Sequence, residues 1–254
     1  CHVTNGSPMT FFPDFSLLQL AATGIIFIWS GFVRSGLGFG GAALGLPFML
    51  LVYDQPIFWI PVIGSQLLFF SALTLRNRLH NVDWAYLKKT GPWILPAAIA
   101  GVYGLINLPP RFLMLCIYAI TLFYALFWAL DRTIQSSNRW VDRCLLVLGG
   151  YVSGATLTGA PLMIAVFMRN VELPRLRDTL FVLWFIIVTI KLTTLFAVGV
   201  PLQLPVSIAL LPMGAIGHWI GLQAHEYILQ RDALCKRLIG IMLIIVCIIG
   251  LAGL

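Results

Sequence analysis

Residues 35–42 read SGLGFGGA, and residues 153–160 read SGATLTGA. The two stretches lie 118 positions apart, and the similarity extends beyond them at the same spacing. Seven positions recur, with Asp and Glu counted as one match: Gly31, Ser35, Gly36, Gly41, Ala42, Asp54 and Pro56 correspond to Gly149, Ser153, Gly154, Gly159, Ala160, Glu172 and Pro174. The chain is therefore an internal duplication, and its most clearly kept part is a glycine-rich break in apolar sequence.

The composition is typical of a membrane protein. Hydrophobic residues make up 60% of the chain and charged residues only 10%, whereas an ordinary soluble domain has about 25% charged residues. Several apolar runs approach or exceed the length of about 18 residues that indicates a membrane-spanning helix. We therefore predict an all-α polytopic integral membrane protein without room for a soluble catalytic domain.

The distribution of charge argues against a nucleic-acid partner. The net charge is +7, but thirteen of the sixteen Lys and Arg residues lie in four short loops, 76–89, 131–143, 169–178 and 225–237. The tendency of basic loops to face the cytoplasm explains this pattern without a polyanion. The five cysteines show no CxxC or CxxxC spacing, so we predict no disulfide framework, no metal site and no cofactor.

The chain divides into crossings and two broken segments. We treat residues 1–14 as a polar N-terminal extension and expect no cleaved signal peptide. Two apolar stretches, 15–53 and 144–168, carry the repeated motif. Six other segments are each long enough to cross the membrane once: 56–75, 91–108, 111–130, 179–199, 203–224 and 238–254.

The basic loops indicate how the broken segments lie in the membrane. Loops 131–143 and 169–178 are both expected on the cytoplasmic side, and the 25 residues of 144–168 between them are too few to cross twice. We predict a re-entrant hairpin there, and another over 15–53 that enters from the opposite side. Each repeat is then one glycine-broken hairpin plus three transmembrane helices, and the two repeats are inverted. Repeat 1 spans 15–130, a cytoplasmic linker spans 131–143, and repeat 2 spans 144–254. The alternative is a protein of eight transmembrane helices, because 15–53 is long for a hairpin.

The glycine-rich tips are the predicted substrate site. A half-helix that starts inside the membrane presents unpaired N–H groups with partial positive charge, which favours an anion. Serine and threonine hydroxyls add donors. The alternative is that glycine and serine only allow helices to cross closely. The predicted substrate-binding residues are Arg34, Ser35, Gly36, Gly38, Gly40, Gly41, Ser153, Gly154, Thr156, Thr158, Gly159 and Lys191, and none is predicted to be catalytic.

The positions of the ionisable residues also favour an anion. All nine Asp and Glu residues fall in loops or at the ends of spans, where they do not suit a cation pathway. Arg34, Lys191 and His218 lie within apolar segments. A charge near mid-span costs about 2.5–3.5 kcal/mol on insertion scales, so we expect Arg34 or Lys191 to offset the charge of the substrate. The alternatives are an Arg34 that snorkels to an interface and a Lys191 that is neutral or paired with backbone. His218 is more typical of a packed histidine, and proton coupling could come from Lys191, His218 or a protonated anion.

Four stretches resemble the sulfite exporter family TauE/SafE. They are SGLGFGGAALGLP at 35–47, RNRLHNVDW at 76–84, SGATLTGAP at 153–161 and RLRDTL at 175–180. Thr156 and Thr158 depart from this pattern, since the family tends to have glycine at both positions. The resemblance covers nearly the whole chain from about residue 15. It implies the transport of sulfite or an organosulfonate across a bacterial inner membrane, whereas the residues by themselves indicate only a small anion.

These observations predict a secondary transporter that works by alternating access. Its expected partners are a small anionic substrate and membrane lipid. A homodimer is neither required nor excluded by the apolar outer faces. An anion channel is one alternative, and an intramembrane lipid-processing enzyme is another. The enzyme would need a nucleophile with a base, for which His218 is the neutral candidate.

Overall fold

The computed structural model describes residues 12–13, 15–37, 41–130, 138–230 and 232–254, without the side chains at 225–226, 228–230 and 232–233. Within these ranges the chain is helical and contains no strand. The α-helices are α1 (Leu17–Gly36), α2 (Gly41–Val52), α3 (Pro56–Leu75), α4 (Trp84–Asn107), α5 (Pro110–Ala129), α6 (Arg139–Thr156), α7 (Ala160–Asn170), α8 (Leu173–Ala197), α9 (Leu204–Gln230) and α10 (Asp232–Ala252). The prediction of an all-α polytopic membrane protein is confirmed.

The six predicted crossings correspond to α3, α4, α5, α8, α9 and α10. Five of them are long and apolar enough to span a membrane, and α1 also meets that standard. The helix α4 has 24 residues, but Pro92, Pro96 and its polar first turns make it less apolar. The helix α6 begins at Arg139, inside the predicted linker, because Asn138 accepts a hydrogen bond of 2.9 Å from the Trp140 amide and starts the helix there.

Both broken segments fold back as helical hairpins. In the first, Gln19 Nε2 donates to the Val52 carbonyl at 3.1 Å, and Ser30 Oγ donates to the Gly41 carbonyl at 2.8 Å. The helices α2 and α7 have 12 and 11 residues. They therefore rise only about 17–18 Å, against a hydrocarbon core of about 30 Å. The short second arm of each hairpin favours a re-entrant segment over a pair of crossings, although α1 is longer than a half-depth arm requires.

The second hairpin is built in the same way. Arg169 contacts the Asp142 carboxylate where its two arms meet the basic loops. Further along, a Cβ at Gly149 would lie 2.6 Å from Met163 Cγ, and one at Gly159 would lie 2.5 Å from Ser153 Oγ. These contacts run in opposite directions along α6 and α7, so the two arms are antiparallel and closely packed.

The first helix of each repeat packs against a helix of the other repeat. The helix α1 packs most extensively against α9, and its counterpart α6 packs against α4. Glycines allow this close approach: a Cβ at Gly217 would lie 1.9 Å from the Ile28 carbonyl oxygen, and one at Gly154 would lie 2.0 Å from the Ala98 carbonyl oxygen. Each hairpin is therefore held by a helix of the opposite repeat.

Two further helices pair with their own counterparts, α3 with α8 and α5 with α10. Gly64 of α3 approaches Val188, while Arg78 just beyond α3 contacts Asp178 near the start of α8. The helices α3 and α8 are thus antiparallel. The helices α5 and α10 are antiparallel as well, because a Cβ at Gly240 would lie 2.7 Å from the Ala125 carbonyl oxygen and one at Gly250 would lie 2.2 Å from Tyr118 Cζ. Equivalent helices that run antiparallel are related by a two-fold axis across their length. The inverted orientation in the membrane and the repeat boundaries stay predictions.

The close packing of α4 on α6 can be tested with two glycines of α4. A Cβ at Gly101 would lie 2.0 Å from the Tyr151 carbonyl oxygen, whereas the nearest atom to one at Gly91 is 3.9 Å away. We expect Gly101→Ala to lower the free energy of unfolding by about 1–3 kcal/mol through overpacking. Gly91→Ala should be neutral or stabilising by up to about 1 kcal/mol. Unfolding of both variants in detergent checks this, and equal stabilities would contradict the packing.

Candidate anion-binding site

The tip of the second hairpin is a tight turn between α6 and α7. Leu157 has φ 64°, a left-handed conformation that usually requires glycine. The Thr156 hydroxyl contacts the Val152 carbonyl at 3.0 Å, and the Thr156 and Thr158 hydroxyls lie 2.7 Å apart. A Cβ at Gly159 would lie 2.1 Å from the Gly149 carbonyl oxygen. The two threonines therefore hold the turn, and the glycine brings the start of α7 against α6.

The tip of the first hairpin is described only at its edges. The helix α1 ends at Gly36 and α2 begins at Gly41, while Gly38 and Gly40 lie outside the described residues. A Cβ at Gly41 would lie 2.7 Å from Arg34 Cβ and 2.8 Å from the Ser30 carbonyl oxygen. The first turn of α2 is therefore pressed against the last turns of α1.

A cavity of about 30 Å³ lies between the two tips. Its lining comes from both hairpins and from α3 and α8: Arg34, Gly41, Ala42, Ala43, Leu67, Ser71, Ser153, Leu157, Ala160, Phe181, Trp184, Ile187 and Val188. The first residues of α2 and α7 belong to this lining, so the partly positive N-terminal ends of two half-helices face one space. Two helix ends of the same sign favour a negatively charged occupant.

The polar side chains that line the cavity are hydrogen-bond donors. Five buried side-chain atoms have no hydrogen-bond partner among the described residues: Arg34 Nε and Nη2, Ser71 Oγ, Ser153 Oγ and Trp184 Nε1. Arginine and tryptophan can only donate, and serine can donate. A buried donor without a partner costs about 1–3 kcal/mol, which a set of acceptor oxygens would recover. The donor set therefore suits a small oxyanion.

Two buried cations lie at or beside the cavity. The Arg34 guanidinium carbon lies 4.2 Å from the centre of the Phe70 ring, and Arg34 is 7% exposed. Lys191 is fully buried, and its Nζ donates to the Ser153 carbonyl at 2.8 Å. Neither cation forms an ion pair with a carboxylate in the described part of the chain. Arg34 is therefore placed to offset the charge of an anion between the tips, whereas Lys191 is paired with backbone, as the alternative in the sequence analysis has it.

The predicted site residues occupy three kinds of position. Arg34, Gly41 and Ser153 line the cavity, and Lys191 lies directly behind Ser153. Thr156, Thr158 and Gly159 shape the second tip. Ser35, Gly36 and Gly154 face neighbouring helices: Ser35 contacts His218 of α9, Gly36 lies 3.0 Å from the Cβ position of Gly221, and Gly154 abuts Ala98. Their roles in binding stay predictions.

Ser71 and Trp184 are cavity residues that the sequence analysis missed. Trp184 lies near the middle of α8, whereas tryptophans of membrane proteins favour the ends of spans. The mid-span position of Trp184 is therefore a sequence signal that could have identified it as a site residue. Ser71 lies in an apolar helix with other small residues, so its sequence context offers no comparable signal. Among the described residues, no group of three His, Cys, Asp or Glu side chains could hold a metal ion.

A family model described as Sulfite exporter TauE/SafE matches residues 23–249. The matched region contains the second hairpin, the first hairpin from residue 23 onward, and every described residue that lines the cavity. No curated protein and no solved structure matches the chain.

Trp184 offers a test of the donor set. Trp184→Phe keeps an aromatic ring and removes one N–H donor. A hydrogen bond to a charged group contributes about 1.5–3 kcal/mol, so we expect sulfite to bind about 10-fold to 100-fold more weakly. Titration calorimetry of the purified protein measures this change.

Trp59→Phe is the matched control for this experiment. Trp59 is also fully buried, but its indole N–H donates to the Tyr53 carbonyl at 2.9 Å, away from the cavity. Its affinity for sulfite should equal that of the unmodified protein. An equal loss in both variants, or no loss in Trp184→Phe, would remove Trp184 from the site.

Proposed function

The chain belongs to the sulfite exporter TauE/SafE family, and we propose that it is a secondary transporter that moves sulfite or an organosulfonate by alternating access. The family indicates a membrane transporter of sulfur-containing anions. The observation that carries the proposal is the cavity between the hairpin tips, whose polar side chains are donors and whose cations have no described carboxylate partner. We place the protein in the bacterial inner membrane, where the basic loops would face the cytoplasm.

The chemistry of the substrate class matches the cavity. Sulfite and sulfonate groups present three oxygens that accept hydrogen bonds. The Arg34 guanidinium can donate two parallel hydrogen bonds to such a group, which adds geometric specificity to charge. Ser153, Ser71 and Trp184 surround the same space from α6, α3 and α8. The apolar part of the lining, including Phe181 and Val188, suits the carbon side of an organosulfonate.

Alternating access is supported by the size of the cavity and by the helix arrangement. A buried water molecule needs a cavity volume of about 10–15 Å³, so the cavity of about 30 Å³ has room for about two waters. A larger anion can enter only when the tips or the α3 and α8 helices separate. Because each repeat contributes one tip and one of those helices, movement of one repeat against the other would open the site.

Polar contacts join the two repeats on either side of the cavity along α3. At the end with the basic loops, Asp178 is fully buried and accepts from Asn81 Nδ2 at 2.7 Å and from Arg78 Nη1 at 3.4 Å. Toward the opposite end, Ser207 Oγ of α9 donates to the Val62 carbonyl at 3.3 Å, and Gln66 Nε2 donates to the Ser207 carbonyl at 3.4 Å. These two sets of contacts are the ones that alternating access would break in turn.

One contact favours the enzyme alternative, but the described residues do not supply the other features of a catalytic site. Ser35 Oγ contacts His218 Nδ1, which resembles a nucleophile beside a base. However, Ser35 does not line the cavity. No described carboxylate contacts the His218 ring to orient it, as the third member of a catalytic triad would. The channel alternative would require a continuous path, whereas the cavity in this conformation is small.

Sulfite counterflow into proteoliposomes tests the proposal. We expect saturable exchange by the unmodified protein and a loss of at least about tenfold in Arg34→Gln, which removes the buried charge and keeps a polar side chain. Arg111→Gln is the control, because Arg111 lies exposed at the start of α5. Flux that never saturates and shows no counterflow would favour a channel. Full exchange by Arg34→Gln would place the site elsewhere.

A further inference from the structure

His218 lies next to the anion site, on the helix α9 of repeat 2. The helix α9 packs against α1 of repeat 1, which carries Arg34 and Ser35. Its Nδ1 contacts Ser35 Oγ, and its ring centre lies 5.0 Å from that of Phe70. Phe70 is the same ring that the Arg34 guanidinium covers. The imidazole is thus connected to the cavity through Phe70 and Arg34, without lining the cavity itself.

The hydrogen bonds of Ser35 allow a proton on the imidazole. Ser35 Oγ lies 3.1 Å from the Gly31 carbonyl oxygen, which can only accept. If the single hydroxyl hydrogen goes to this carbonyl, His218 Nδ1 must carry the hydrogen of the other contact. A protonated imidazole has a hydrogen at Nδ1 and therefore keeps the same contact. Protonation of His218 requires no rearrangement around Ser35.

The positive charge beside His218 comes from Arg34 of α1. Its guanidinium covers the Phe70 ring, and His218 packs against the same ring. A like charge disfavours the protonated imidazole. An anion bound to Arg34 would offset that repulsion. The occupancy of the cavity and the protonation of His218 are therefore linked through one guanidinium.

We infer that His218 is a proton-binding site that couples the movement of the anion to the movement of a proton in the same direction. This inference rests on the proposed transport function. Binding of the anion at Arg34 favours protonation of His218, and by reciprocity protonation of His218 strengthens anion binding. Because each favours the other, the loaded state carries both the anion and the proton, and the empty state carries neither. A proton taken from water on one side is then released to water on the other side with the anion.

The sequence offers a conservative variant for the test. His218→Asn places an amide close to the position of Nδ1, so it keeps a partner for Ser35, but an amide does not take up a proton in this range. We expect His218→Asn to retain saturable sulfite counterflow at a fixed pH, because exchange requires no net movement of protons. It should lose the accumulation of sulfite that a pH gradient drives.

The experiment uses proteoliposomes of the full chain with an acidic exterior and the membrane potential clamped. One proton per anion makes a gradient of one pH unit equivalent to about a tenfold ratio of anion. Sulfite itself also binds a proton in water, so the measured quantity is the difference between the unmodified protein and His218→Asn under identical conditions. His80→Asn is the matched control, since His80 is exposed in the loop after α3. It should accumulate sulfite as the unmodified protein does.

Each outcome decides between the proposals. Gradient-driven accumulation that is equal in His218→Asn and the unmodified protein overturns the coupling role while leaving the transporter intact. If the unmodified protein shows no counterflow, the proposed function fails, and the coupling role falls with it. If His218→Asn does not yield a folded protein, His218→Gln replaces it with the same expectation. Loss of accumulation with counterflow retained supports the inference.

Discussion

Two breaks in helical backbone inside the membrane impose the constraint on which the rest of the structure depends. A broken helix leaves unpaired N–H and C=O groups that lipid cannot satisfy, so such backbone must be buried in protein. Each hairpin is accordingly covered by a helix of the other repeat, α1 by α9 and α6 by α4. Glycines at those contacts bring backbones together so closely that no Cβ would fit. The first residues of α2 and α7 then line a shared cavity between the tips.

The two repeats have the same order of helices but differ in the positions of their buried basic residues. Arg34 of the first tip corresponds to Val152 in the second repeat, and Lys191 corresponds to Leu73 in the first. Each repeat therefore contributes one buried cation from a position that is apolar in the other. Arg34 lines the cavity, while Lys191 binds the backbone of the second tip. One cation is placed to contact an anion directly, and the other stabilises the turn that presents Ser153.

The sequence predicted the helices and the breaks better than it predicted the site. Hydropathy and the repeated glycines are local signals, so the crossings and the two interruptions could be located from them. Which face of a helix points inward depends on packing between distant segments. Ser71 and Trp184 reach the cavity only because α3 and α8 pack together, and Gly154 turns away from it because α6 packs on α4. The mid-span position of Trp184 was the one local signal, and no comparable pattern marks Ser71 or the orientation of Gly154.

The most direct test of the central claim is to locate a bound substrate analogue between the tips. Selenite has the shape of sulfite and, like sulfite, presents oxygens that accept hydrogen bonds. Its selenium atom gives anomalous scattering that identifies it in a crystal. We expect one selenium site within hydrogen-bonding reach of Arg34, Ser153 and Trp184, at concentrations that saturate sulfite exchange. Selenium bound elsewhere in the protein, with nothing between the tips at those concentrations, would contradict it.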